Sequence, residues 1–248
     1  MITVCLLAKN AAATLEQALD SVASFPEIIV YDNESSDATP LIAARYPNVK
    51  LMQGPFIGFG PLRNAVASQA TNDWILVLDA DERLSPLLLD EIRSLPLSAN
   101  TIYSFPRRNF YNGKWIRGCG WHPDRVVRLY NRKATSYSAS QVHEKVLPLD
   151  LQIYRCLHYI EHTPYRSTTE FLAKMQHYST LFAEQNAGRK HSSFARAFGH
   201  AIFTFIRSYF FKKGILLGAE GFVISLYNSN TAFYKYLKLA EANTSRGK

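Results

Sequence analysis

Residues 74–82 read Trp-Ile-Leu-Val-Leu-Asp-Ala-Asp-Glu, an apolar run that ends in three carboxylates: Asp79, Asp81 and Glu82. Trp74 to Leu78 has the length and side chains of a strand buried on both faces. Its carboxyl end then carries Asp79 and Asp81, and in an extended chain residues two apart project to the same side. Two convergent hard-oxygen ligands at the mouth of a sheet suit Mg²⁺ or Mn²⁺ that also holds a phosphate. An isolated Asp-x-Asp after a strand is more often a solvated acidic loop. The case therefore rests on what surrounds it.

The surrounding elements alternate strand and helix through the first hundred residues. Ile2–Leu7 reads as a strand ending at Ala8-Lys9-Asn10. Thr14 to Gln17 matches a capping box, with Leu15, Leu19 and Val22 as the buried stripe of the helix that follows. Glu27–Tyr31 is a second strand ending at Asp32, Asp37 can cap a short helix through Arg45, and Val49–Met52 is a third strand. After a Gly/Pro-rich loop over 54–61, Leu62–Ala70 can be helical. The acidic strand is fourth, and Ser85-Pro86 starts a helix through Ser94. Such an order with short connections predicts an α/β fold: a mainly parallel, Rossmann-like sheet flanked by helices. Ligands in such sheets sit beyond the carboxyl ends of the strands, where Asn10, Asp32 and Asp79 all fall.

Beyond residue 100 the pattern changes. Thr101–Pro106 and Val126–Tyr130 read as strands, and Tyr111-Asn112-Gly113-Lys114 as a hairpin turn. From Thr168 the chain is expected to be helical, with Phe171, Met175, Tyr178 and Phe182 on one stripe and Gly188 as terminator. Further helices over about 193–211 and 216–240 are rich in Phe, Tyr, Ile and Leu. The predicted organisation is residues 1–165 as one domain, its donor half about 1–105, and a helical extension over 166–248.

Composition is globular, with 47% hydrophobic and 19% charged residues. The net charge of +8 is unevenly divided: residues 1–100 hold 6 Lys/Arg and 12 Asp/Glu, residues 101–248 hold 22 and 8. The basic half is expected to face an anionic partner. The amino terminus lacks a basic leader with a long apolar stretch, so no signal peptide is expected. No uncharged apolar run reaches the length of a membrane span. Cys5, Cys119 and Cys156 show neither metal spacing nor a disulfide framework, which fits reduced cytoplasm.

The turn after the first strand, Ala8-Lys9-Asn10-Ala11-Ala12, has no glycine, so a dinucleotide fingerprint is absent, as is a Walker loop. Phosphates must be held another way. Here the chain resembles the family-2 glycosyltransferases of the GT-A fold. The resemblance is carried in order by Ala8-Lys9-Asn10, by the segment from Asp32 to Thr39, by the segment from Gly58 to Asn64, and by Leu78-Asp79-Ala80-Asp81-Glu82. Farther on, Trp121-His122-Pro123-Asp124-Arg125, Arg128-Leu129, Val142-His143-Glu144 and the helical tail look more narrowly like bacterial lipopolysaccharide-core β-1,4-glucosyltransferases. Pro123-Asp124 stands where many members carry Glu-Asp, and Asp32-Asn33-Glu34 where Asp-Asp-Gly is commoner.

The resemblance implies metal-assisted transfer of a hexose, glucose from UDP-glucose, to a lipid-linked glycan with inversion. Asp81 is then the first metal ligand, and Asp79 bridges ribose and metal. Asp32 accepts from the uracil imide N–H, a selection that residue chemistry permits. Asn10 supports base or ribose, and Arg63 contacts diphosphate or anchors a loop carboxylate. An inverting reaction needs a carboxylate base on the acceptor side. Asp124, with Arg125 and Arg128 near it in sequence, is the candidate, and Glu144 the rival.

His158, Glu161 and His162 invite a zinc reading, but Thr163-Pro164 ends any helix that would align the histidines. The resemblance offers His162 as a third ligand to the divalent ion instead. Residues 201–214 combine aromatics with a basic end and can lie in an anionic headgroup layer or pack as a core helix. A phosphorylated, lipid-linked acceptor at the cytoplasmic face of the inner membrane would explain the basic half. A transferase for another surface glycan or a polyprenyl phosphate shares the same motifs. A non-enzymatic basic protein would not need the carboxylate cluster, so nucleic acid is not an expected partner.

Overall fold

The computed structural model describes residues 1–139 and 144–246. The chain divides into two compact units, the first over 1–108 and 124–162, the second over 109–123 and 163–248. Sequence placed 109–123 with the sheet domain; here it belongs to the helical unit.

The first unit is built on four parallel strands, β1 (Ile2–Ala8), β2 (Glu27–Asp32), β3 (Val49–Gln53) and β4 (Trp74–Asp79), in the order β3-β2-β1-β4. Alternate residues of β4 serve opposite faces. Leu76 and Leu78 join Val4, Leu6, Leu15, Leu19 and Leu88 on one side. Ile75 and Val77 join Cys5, Ile29, Leu62 and Val66 on the other. This double burial is why the run at 74–78 is continuously apolar. The sheet continues past β4 through β5 (Glu82–Leu84), β6 (Thr101–Tyr111), β8 (Arg125–Asn131), β9 (Gln152–Arg155) and β10 (Ile160–His162). In it β8 is antiparallel to both β4 and β6. The observed architecture is thus a mixed sheet with a parallel core.

The short helices α1 (Leu15–Asp20), α2 (Thr39–Ala43), α3 (Phe59–Ser68) and α4 (Pro86–Ser94) follow the strands. Ser85 caps α4 by accepting from Leu88 N. The capping box expected at Thr14 does not form. The amides of Thr14 and Leu15 donate to the Ala11 carbonyl, and Thr14 Oγ1 itself donates there. Thr14 Oγ1 is thus turned to the Ala11 carbonyl and not to the Gln17 amide that a capping box would serve. Asp37 accepts from Thr39 N at 2.9 Å and from Ala12 N at 3.0 Å, so it fixes the start of α2 and also ties it to the loop after β1.

In the second unit a tight hairpin joins Phe110 and Tyr111 to β7 (Lys114–Trp115), with Asn112 and Gly113 at φ 51° and 71°. The helices are α5 (Thr168–Asn186), α6 (Phe194–Ile206) and α7 (Ala219–Arg246). A π turn (Arg207–Phe211) and a 3-10 turn (Gly214–Leu217) lie between α6 and α7. The buried stripe of α5 runs Phe171, Ser179, Ala183, and Tyr178 is exposed, unlike the expected one. Small residues at 179 and 183 face α7, with Ala183 packing on Leu239, so the stripe follows steps of four. A Cβ at Gly221 would stand 1.9 Å from the Gly214 carbonyl oxygen, which is why the start of α7 and the 3-10 turn can meet. Cys5, Cys119 and Cys156 are buried free thiols. Among the described residues no helix is long and apolar enough to cross a membrane.

Candidate active site

The parallel strands bring their carboxyl ends into line. Ala8 lies opposite Asp32, Leu7 opposite Asp79, and Asp32 opposite Gln53. Asp32 is fully buried. Its Oδ2 accepts from Gln53 Nε2 at 3.0 Å and from Ser35 N at 3.3 Å. Its Oδ1 is buried, and among the described residues no donor reaches it. Leaving such an oxygen without a partner costs about 1–3 kcal/mol, so an arriving N–H donor is strongly favoured there.

Asn10, at φ 49°, works as a clasp. Its Oδ1 accepts from Ser36 N at 2.9 Å, and its own N–H donates to Ser35 Oγ at 2.8 Å. The loops after β1 and β2 are thereby joined beside Asp32.

Asp79 and Asp81, expected to converge, have different partners. The chain turns at Ala80 and Asp81 before β5 begins at Glu82, so strand alternation does not carry through to residue 81. Asp79 Oδ1 accepts from Arg63 Nη2 at 2.6 Å, and Oδ2 accepts from Arg128 Nη2. Burial pushes the Asp79 carboxyl up, but the guanidiniums of Arg128 and Arg63 outweigh it and hold the group well below the usual carboxylate range. Asp81 is placed with β10 instead, its Oδ2 3.5 Å from His162 Nε2. The pairing of His162 with Glu82 in the β5–β10 ladder sets that approach.

The carboxylate of Asp79 is one link of an ionic chain. Arg63 Nε donates to Glu144 Oε1 at 2.9 Å. Arg128 reaches on from Asp79 to Glu82 Oε1 at 2.7 Å, and Arg107 Nη1 donates to the same oxygen at 2.9 Å. Arg107 Nε then donates to Asp124 Oδ2 at 2.8 Å. Charges alternate from Glu144 through Arg63, Asp79, Arg128, Glu82 and Arg107 to Asp124. Arg63, Arg128 and Glu82 are almost wholly buried, where breaking one link strands its neighbours.

Both candidates for the base thus lie at the ends of one network. Arg125, expected beside Asp124, instead donates to the Ser104 and Cys156 carbonyls, and Arg128 serves Asp79 and Glu82. The partner of Asp124 is Arg107, which sequence reading overlooked. Arg63 does anchor a loop carboxylate, Glu144; Val142 and His143 of the same motif lie outside the described residues. His158 pairs with Glu91 at 3.0 Å and Glu161 with Arg83, so these two do not share a centre with His162.

A divalent ion fits this arrangement in one mode. Among the described residues no group of three or more His, Cys, Asp or Glu forms a cage. Asp81 and His162 offer a carboxylate and an imidazole, both partly exposed. Mg²⁺ or Mn²⁺ held by one or two protein ligands and completed by phosphate oxygens matches that donor set.

Comparison with known proteins agrees with this architecture. The family model described as glycosyl transferase family 2 matches residues 3–134. An uncharacterised glycosyltransferase of Rickettsia typhi is 30% identical over 97% of this chain and 86% of its own. The lipopolysaccharide core biosynthesis glycosyltransferase LpsC of Rhizobium meliloti is 24% identical over 99% of this chain and 93% of its own. Among solved structures, the mannosyltransferase PcManGT of Pyrobaculum calidifontis, determined with GDP-Man and Mn²⁺, shares the fold at a TM-score of 0.52. It is 16% identical, with 100% of this chain and 88% of that one covered. With more than half of its length under the family model and a full-length relative at 30% identity, the chain belongs to glycosyl transferase family 2.

Proposed function

We propose that the chain transfers a hexose, glucose from UDP-glucose, to a hydroxyl of a lipopolysaccharide inner core or similar lipid-linked glycan, with inversion. The observation that carries this reading is the buried, unpartnered Oδ1 of Asp32 at the sheet mouth. The imide N–H of uracil is a donor suited to it, whereas adenine and cytosine present no ring N–H. The low-identity likeness to a lipopolysaccharide core transferase supports the acceptor class. The fold shared with an enzyme determined with GDP-Man and Mn²⁺ supports a nucleotide-sugar donor and a divalent ion.

Asp81 and His162 would hold that ion, which when bound stabilises charge on the departing diphosphate as a Lewis acid. Asn10 and Asp32 seat the nucleoside. Arg63 and Arg128 fix Asp79 beside them. The acceptor oxygen attacks the anomeric carbon as its bond to the diphosphate breaks, and the electron pair leaves with the diphosphate. Asp124 takes the hydroxyl proton, with Glu144 as the other group able to do so.

Calorimetry with UDP-glucose, GDP-mannose and UDP tests the nucleoside assignment. Asp32→Ala is expected to weaken UDP-glucose binding by about 10- to 100-fold, the worth of a hydrogen bond to a charged group. Equal affinity of wild type and variant would remove Asp32 from the site, and a preference for GDP-mannose would reassign the base.

The second unit supports a peripheral position on the inner membrane. It carries 14 Lys/Arg against 4 Asp/Glu. Phe194, Phe198, Phe203, Phe210 and Phe211 are exposed, and of α6 only Ala197 is buried. A basic unit with such a face binds anionic headgroups by apolar insertion plus charge. Co-sedimentation with phosphatidylglycerol-containing vesicles is expected, falling when Phe203 and Phe211 are both changed to Ser. Absence of sedimentation at low salt would overturn it.

A further inference from the structure

The second unit also carries an open cavity of about 580 Å³, lined wholly by its own residues. That volume is in the range of small-molecule sites. Arg207 and Lys212 stand exposed at the cavity and Lys235 of α7 is half-buried in it. No Asp or Glu lines it, and among the described residues none of the three cations has an ion-pair partner.

Lys238, one turn farther along α7, shows how this unit satisfies a cation that is structural. Its Nζ donates to the carbonyl and Oε1 of Gln176, to Ser179 Oγ and to Thr180 Oγ1, at 2.8–3.2 Å. Among the described residues Lys235 has no such set: its ammonium lies 5.6 Å from the Phe182 ring centroid. Burial alone moves its pKa, downward, with no anion to restore it. With three like charges in its lining, the cavity favours an entering anion. The other walls suit an organic group attached to that anion. Thr204 offers a hydroxyl, and His200 stacks on Tyr236 with centroids 3.9 Å apart and planes at 5°.

We propose that this cavity binds a phosphate monoester, with its oxygens on Arg207, Lys212 and Lys235 and its organic part against the His200–Tyr236 stack. A guanidinium fork and two ammonium point charges are the side chains that recognise such a dianion. The source is either a phosphorylated sugar or a lipid headgroup ending in a phosphate monoester. The proposed donor-site residues all belong to the first unit, and none of them lines this cavity.

The full chain is titrated calorimetrically with glucose 6-phosphate in the presence of UDP. In parallel it is sedimented with phosphatidylcholine vesicles containing phosphatidic acid or, at matched charge, phosphatidylglycerol. Saturable binding to at least one monoester is expected. Lys235→Gln and the exposed-site variant Arg207→Gln should each weaken it by about tenfold or more, with Lys235→Arg retaining most of it. Glucose 6-phosphate binding identifies a soluble source, and preference for phosphatidic acid over phosphatidylglycerol identifies a headgroup. Saturable binding to neither monoester, or affinities unchanged in both Gln variants, overturns the proposal. UDP-glucose binding measured on the same variants should not change; its absence from wild type would sink the donor reading without touching this one.

Discussion

Asp79→Ala is expected to lower stability by about 3–5 kcal/mol, the loss seen when one partner of a buried ion pair is removed. For a chain of this size that is a fall in Tm of about 10 °C. The reason lies in the neighbours. Arg63 and Arg128 are 5% and 6% exposed, and Asp79 is the carboxylate both of them contact. Without it, Arg63 retains Glu144 and Arg128 retains Glu82, each partner on one side only. Asp79→Asn keeps the shape and an acceptor and should cost less. Thermal unfolding followed by circular dichroism checks both variants. A wild-type Tm for Asp79→Ala would mean the arginine clamp contributes nothing, and would return Asp79 to a purely ligand-binding role.

Asp81→Ala should show the opposite profile, with little effect on Tm and a large one on chemistry. Its only ion-pair partner among the described residues is His162 at 3.5 Å, and the carboxylate is 31% exposed. An interaction of that kind is worth about 0–1 kcal/mol. Loss of a group that organises charge stabilisation at the leaving group costs about 100- to 1000-fold in kcat. Mn²⁺ binding in the presence of UDP, followed by electron paramagnetic resonance, should be lost or strongly weakened in Asp81→Ala. His162→Ala should weaken it as well. Retained, Mn²⁺-stimulated turnover in Asp81→Ala would remove these residues from the metal site.

The contrast between neighbours two apart marks where sequence stops being legible. The runs at 2–8, 27–32 and 74–79 announced their strands because each is buried on both faces and needs little context, whereas the edge strand at 49–53 is only partly buried. Asp32 was readable as a strand-end carboxylate, and its register beside Gln53 follows from that placement. The division between Asp79 and Asp81 was not readable, because the turn at Ala80 is set by the β5–β10 ladder, a pairing of residues some eighty positions apart. Arg107 was overlooked for a similar reason. The sequence pattern ends this strand at Pro106, yet β6 runs on to Tyr111. A proline removes one N–H donor but its φ remains compatible with extended backbone. Arg107 then finds Glu82 and Asp124, long-range partners that no local pattern specifies. In α5, Tyr178 looked apolar enough for the buried stripe, but Ser179 and Ala183 allow α7 closer and take that face.

The ionic chain that starts at Glu144 and finishes at Asp124 has an arithmetic of its own. Four carboxylates alternate with three guanidiniums, so the row is one positive charge short. Both termini are acids, and the interior members are too deep for water to screen them fully. The wall of the sheet therefore holds a surplus negative charge that the guanidiniums of the row do not balance.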